Sequence, residues 1–186
     1  MKQLDNDQDV ITFIKSQHQQ IKALFAAALG ARGEARAKAF FELRRLMAVH
    51  ETAEEEIIHP AARRVLAGGE AIIQARLAEE KKAKEVLAAL EVIDVDAPQF
   101  AIKLTALQSD VVAHAESEER EELSALALRL DADQLTRMRK AAQLAESLAP
   151  TRAHPGIESA TANLLAGPFA AMIDRARDAL SSWGKH

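Results

Sequence analysis

The sequence predicts an all-α protein: an up-down-up-down four-helix bundle over residues 1–130, followed by a C-terminal two-helix extension over 131–186. Three observations predict it. Alanine, leucine, glutamate, arginine and lysine dominate a chain with seven glycines, five prolines and no long β-branched run, which suits helices and disfavours strands. Apolar residues recur at three- and four-residue steps through four long segments. The joints between those segments are short, so consecutive helices should lie antiparallel.

The first helix can be capped by Asp7 or Asp9 and carries Ile11, Ile14, His18, Ile21, Leu24, Phe25 and Leu29 on one stripe, ending at Gly30 to Gly33. The second runs from about Glu34 through His50, is perturbed at Pro60, which cannot donate a backbone hydrogen bond, and finishes before Gly68-Gly69. A third starts after that pair and reaches about Leu90. Asp94 to Pro98 turns the chain into a fourth, with Phe100, Leu104, Leu107, Val111, His114, Glu118 and Leu126 in phase. Beyond Leu130, Asp131 or Asp133 can cap a fifth helix that ends near Leu148. Residues 149–156 contain two prolines and a glycine and cannot be regular helix, and 157–183 offer a sixth. This tail has the look of an appendage. It is free to cover the bundle, to mediate a homodimer or to contact another protein, and the sequence does not choose.

Composition excludes several function classes. The net charge is −4 with acids and bases interspersed, which suggests neither a nucleic-acid groove nor an anionic membrane surface. The chain has no cysteine, so disulfides, thiolate metal sites and Fe–S clusters are out. No apolar run approaches a membrane span and the first residues do not read as a signal peptide, so the expected location is the cytoplasm.

What remains informative is which polar residues interrupt the apolar stripes. His50 and Glu54 stand one turn apart where Leu43, Leu46, Met47, Ile57 and Ile58 call for apolar side chains, and buried charge needs a partner. No lysine or arginine shares that stripe near Glu54, which leaves polar groups of other helices, a water or a metal ion. His18 interrupts the first stripe, and His114 with Glu118 the fourth. On the third, Glu80 precedes Ala83, Val86 and Leu87 at the offsets that follow His18, so it is the expected inward polar group. Glu51 lies at the edge of the second stripe. His59 falls about 140° from Glu54 on an ideal helix and is expected outside or behind the ligands, unless Pro60 rotates it inward.

Taken singly, each of these residues is more often a satisfied core histidine or part of a solvated charge run. Two His-x-x-x-Glu spacings on different helices, each in phase with its own stripe, change that balance. Imidazoles and carboxylates meeting in a dry bundle core are the ligand set of di-iron or di-manganese proteins. Zinc ranks behind them, since structural zinc usually takes four ligands and often sulfur.

The same residues resemble the hemerythrin-like, or HHE cation-binding, domains over about Val10 to Leu130. The resemblance rests on Gln17-His18 with Ile21, on His50-x-x-x-Glu54-Glu55 followed by Pro60, and on His114-x-x-x-Glu118-Glu119. It implies a four-helix bundle with a non-haem pair of iron ions, an oxo bridge being one form of the pair, with manganese and zinc as lesser alternatives. It puts bridging carboxylates on Glu54 and Glu118 and terminal histidines on His18, His50 and His114. Glu51 corresponds to a carboxylate that some members use.

The third helix departs from the family pattern, offering Glu80, Lys81 and Lys84 where one or two histidines are usual, and His59 replaces a residue that is often aromatic. That casts doubt on oxygen-carrier behaviour, and His59 becomes a candidate replacement ligand. An oxygen-rich set would stabilise ferric iron and favour reaction with peroxide over reversible dioxygen binding. The implied function is to bind or reduce dioxygen, hydrogen peroxide or nitric oxide. The alternatives are an iron- or oxygen-responsive module without turnover and a metal-free helical protein whose histidines merely pack.

Overall fold

A computed structural model describes residues 9–148. Its elements are α1 (Val10–Gly30), α2 (Gly33–Ala53), a π-turn (Glu54–Ile58), α3 (His59–Val65), α4 (Gly69–Glu91), α5 (Pro98–Glu118), a second π-turn (Glu119–Leu123), α6 (Ser124–Arg129) and α7 (Ala132–Leu148). No strand occurs among the described residues. The α2, π-turn and α3 segments form one unbroken rod, as do α5, the second π-turn and α6, so the four expected rods are present, two of them with a widened turn. No helix among the described residues is long and apolar enough to cross a membrane. The expected break at 149–156 and the last helix at 157–183 lie outside the described residues, as does Asp7.

Local chemistry explains the ends. Asp9 Oδ1 accepts from the Thr12 backbone N–H at 2.8 Å, capping α1. Gly68 has φ +71°, and a Cβ on Gly69 would lie 2.5 Å from the Arg63 carbonyl oxygen, so both glycines of the pair are needed where α3 turns back into α4. Pro98 opens α5, where its missing N–H costs nothing.

The core has two apolar halves. One gathers Phe25, Phe40, Leu43, Met47, Leu87, Leu90, Phe100, Leu104 and Leu107. The other gathers Val10, Ile14, Ile57, Ile58, Leu123 and Leu126, and to these α7 adds Leu135, Met138, Ala142 and Ala145. Helix α7 packs along α1, α2 and the first π-turn and so covers this half of the bundle. Between the halves, every rod presents buried polar side chains: Gln17 and His18, then His50, Glu51, Glu54 and His59, then Arg76 and Glu80, then Glu118 and Glu122.

Candidate metal centre

Each rod delivers its polar residues to the same depth because the apolar residues on either side fix its register. On α1, Val10 and Ile14 enter one half of the core and Ile21 and Phe25 the other, which leaves His18 between them. The second rod obeys the same logic with Met47 before His50 and Ile57 after Glu54. Glu80 sits between Ile73 and Ala83, and His114 and Glu118 between Leu107 and Leu123.

His59 departs from the ideal-helix expectation, which placed it on the outside. It is 1% exposed. The backbone N–H of His59 reaches the Glu54 carbonyl, five residues back, and this π-turn inserts one extra residue. An extra residue winds the phase back by about 100°, which brings His59 to about 40° from Glu54. Pro60 lacks the N–H that an α-turn would use here, and the widened turn accommodates that loss. The perturbation therefore lies upstream of the proline, and the chain stays helical through it.

Four triads of ligand atoms come within 4.8 Å of one another: His18, His50 and Glu54; Glu54, His114 and Glu118; Glu54, His59 and Glu80; and His59, Glu118 and Glu122. Glu54 belongs to three, Glu118 and His59 to two each. His50 Nε2 stands 2.8 Å from Glu54 Oε1, His18 Nε2 3.5 Å from the same oxygen and 3.2 Å from Glu118 Oε2, and His114 Nε2 4.0 Å from Glu54 Oε2. Despite these short separations, His18 Nε2, His114 Nε2 and both oxygens of Glu54 and Glu118 have no aligned hydrogen-bond partner. A buried polar atom without a partner costs about 1–3 kcal/mol, and here several converge on shared points, the arrangement a cation satisfies once it displaces their protons.

The outer nitrogens of three rings are held. His18 Nδ1 meets Glu119 Oε1 at 2.8 Å, His114 Nδ1 meets Glu79 Oε2 at 2.9 Å, and His50 Nδ1 meets Gln17 Oε1 at 3.0 Å. Acceptors at Nδ1 fix each ring with Nε2 turned inward, so that a metal ion displacing any proton from Nε2 would find that nitrogen in place, the usual support for a metal-bound histidine. His59 differs, lying between Glu122 Oε2 at 2.8 Å and Glu80 Oε1 at 2.6 Å.

Glu51 stays out of all four triads. Its Oε2 is 3.3 Å from Lys84 Nζ, which also pairs with Glu55, so a lysine of the third rod occupies the carboxylate on that side. Arg76 is a buried cation at the edge of the layer, with Glu79 and Glu121 at 2.8 Å and Glu122 at 3.3 Å. Removing one partner of such a buried network leaves uncompensated charge, so Arg76→Met is expected to lower the unfolding free energy by about 3 kcal/mol. Urea denaturation of the metal-free protein reads this, and a change within experimental error would show that Arg76 is not an internal counter-ion.

Protonation follows from crowding. Burial by itself would lower His18, but Glu118 and Glu54 outweigh it and lift the ring to about 10. Burial likewise opposes a rise at His114, where Glu54 and the other carboxylates lift it to about 9. His50 is lowered, because burial exceeds the pull of Glu54. Burial would raise Glu54, yet the surrounding histidines hold it well below the ordinary range. Glu118 is pushed up to about 8 by burial and then by the charge of Glu54. Glu51 reaches about 8, burial prevailing over Lys84. Without a metal the layer holds protons that a cation would displace.

A cavity of about 230 Å³ reaches this layer, lined by His18, Met47, His50, Glu54, Glu80 and His114, with the exposed Lys82–Asp110 pair at its outer part. Sequence reasoning missed Glu122 and Arg76, and it named Gln17 in a motif without giving it a role. Glu122 was within reach: Glu118, Glu122 and Leu126 are spaced by four, and Glu122 lies between two residues already on the stripe. Arg76 likewise lies between Ile73 and Glu80.

The model of the Hemerythrin HHE cation binding domain family matches residues 9–126. An uncharacterized hemerythrin-like protein of Schizosaccharomyces pombe is 24% identical over 139 residues, which is 74% of this chain and 68% of the relative. A crystal structure of an HHE cation-binding domain-containing protein from Mycobacterium kansasii aligns with a TM-score of 0.66 at 19% identity, covering 91% of this chain and 99% of that one, a likeness of fold.

Proposed function

Because the chain belongs to the hemerythrin HHE cation-binding domain family, we propose that its polar layer holds two iron ions and that the pair binds or reduces a small oxidant: dioxygen, hydrogen peroxide or nitric oxide. The observation that carries this reading is the set of buried atoms without hydrogen-bond partners, six of which belong to His18, Glu54, His114 and Glu118. Manganese would accept the same ligand types, with zinc behind it.

His18, His50 and His114 would ligate through Nε2 on one side, with Glu54 as shared carboxylate. His59, Glu80 and Glu122 would hold the other side, with Glu118 shared. The first side is rich in nitrogen and the second in oxygen, so the second suits a harder, more highly charged ion. Bound iron would supply electrons and an open coordination position for the oxidant. Glu119, Glu79 and Gln17 keep three rings in the ligating orientation while charge changes between them. The 230 Å³ cavity admits a diatomic molecule or peroxide, and Ile21, Met47 and Val111 in its lining limit water.

The test is the absorption spectrum of anaerobically iron-loaded protein before and after hydrogen peroxide, with peroxide consumption followed in parallel. The expected result is a near-ultraviolet change and consumption of many equivalents per chain. A spectral change with about one equivalent consumed would favour the second reading, a metal-responsive module without turnover. That reading has one observation in its favour, the covering helix α7 packed on the ligand-bearing rods. Fewer than about half an iron per chain after loading would remove both.

A further inference from the structure

Of the three rings whose outer nitrogens are held, His114 is the least enclosed. Its side chain is 12% exposed, against 2% for His18 and 6% for His50, and it lines the cavity. Its support is open as well: the Glu79 side chain is 46% exposed, whereas Glu119 is 27% exposed and Gln17 is buried. Fixing a glutamate side chain at a half-exposed site costs more rotamer freedom than one exposed ion pair returns. Glu79 therefore needs a second tether if it is to hold the ring.

That tether is Arg76, one turn earlier on α4. Its Nη1 donates to Glu79 Oε2 at 2.8 Å, and the same oxygen meets His114 Nδ1 at 2.9 Å. Arg76 is buried and anchored from the fourth rod: Nη2 donates to Glu121 Oε2 at 2.8 Å and Nε stands 3.3 Å from Glu122 Oε1, both residues belonging to the second π-turn. Glu122 is fixed in turn, its other oxygen meeting His59 Nδ1 at 2.8 Å. Three nitrogens of one guanidinium thus meet three carboxylates. The guanidinium is a rigid planar fork, so anchoring two of its arms sets the direction of the third. A lysine ammonium is a point charge on a flexible stem and carries no such direction.

We propose that Arg76 is a positioning residue of the proposed metal centre: held by the second π-turn, it fixes the Glu79 carboxylate and thereby the His114 ring at the wall of the cavity. The consequence for binding rests on the di-iron reading, but the placement of the ring does not, and it is measured in the metal-free chain.

The experiment uses the full chain, labelled with ¹³C in its histidine rings and stripped of metal, and reads the order of each ring by ¹³C relaxation. All three rings are expected to be rigid in the original protein. In Arg76→Lys the charge stays and the fork is lost, so the His114 order parameter should drop from about 0.85 to below about 0.6 while His18 and His50 keep theirs. A merely structural loss would loosen all three rings or none. Ferrous iron titrated anaerobically should then bind about 10- to 100-fold more weakly to Arg76→Lys at the position that His114 serves. An unchanged His114 ring, equal loosening of the three rings, or an unchanged iron affinity in a folded Arg76→Lys protein each overturns the proposal. Should that variant fail to fold, Glu121→Leu removes one anchor of the guanidinium at a half-buried position outside the ligand triads, and an unchanged His114 ring there overturns it equally. Selective loosening of His114 in a chain that takes up no iron even unmodified upholds the positioning role and sinks the di-iron reading. Full iron uptake by every variant, with all three rings rigid, does the reverse.

Discussion

The Glu54→Gln protein is expected to take up almost no metal. Glu54 belongs to three of the four ligand triads and stands among His18, His50 and His114, so both metal positions of the proposed pair would depend on it. Glutamine keeps the shape but offers one neutral oxygen in place of two that share a negative charge. It cannot join two cations or offset them, and iron content should fall from about two ions per chain to about half an ion or fewer. His59→Ala is the informative comparison. It removes a ligand only from the oxygen-rich side, so about one ion should remain. Elemental analysis of both proteins after anaerobic loading decides the matter. Two ions retained by Glu54→Gln would show that the shared carboxylate is not shared at all.

The second large effect is the response of stability to metal and pH. Ferrous iron at about a thousand times its dissociation constant should stabilise the fold by about 4 kcal/mol, a rise in Tm of about 10 °C. The metal-free protein should lose stability as pH rises from 7 to 9. His18 and His114 are raised from 6.5 to about 10 and about 9, so the stability they contribute is complete below 6.5 and drains away toward those values. Glu118 and Glu51 are raised from 4.5 to about 8, so the folded chain keeps protons that the unfolded chain has released, which again costs stability as pH climbs to 8. Bound metal removes those protons, and its affinity increases as fewer must be displaced. The gap in Tm between loaded and metal-free protein should therefore widen from pH 7 to 9. Differential scanning calorimetry under anaerobic conditions measures it, and a gap that narrows over this range would mean that the layer does not exchange protons for cations.

Particular residues show what could be read in advance. His18, His50, Glu54, Glu80 and Glu118 are legible because each replaces an apolar residue in a regular stripe. An α-helix keeps phase, so a polar residue in phase with a core must enter that core. The ideal-helix rule alone puts His59 outside for the same reason, since it assumes about 100° per residue and the π-turn before Pro60 breaks it; the inward position is the alternative that Pro60 left open. Glu122 follows the spacing rule and was overlooked within an acidic run, where neighbouring glutamates face solvent or partner cations. Glu51 and Lys84 show the opposite case: both sit near the stripe, and their mutual pairing is a contact between rods that no single stripe records.

The sequence by itself determined the all-α class, the four rods and the level at which His18, His50, Glu54 and Glu118 meet, because helical phase is a local property carried by spacing. Only the tertiary structure decided that His59 joins that level, that Lys84 occupies Glu51, and that α7 closes one half of the core and reaches Gln17 through Glu146. Those outcomes depend on contacts between segments far apart in the chain and on a turn that departs from the ideal period. Neither leaves a mark in the repeat pattern of one helix.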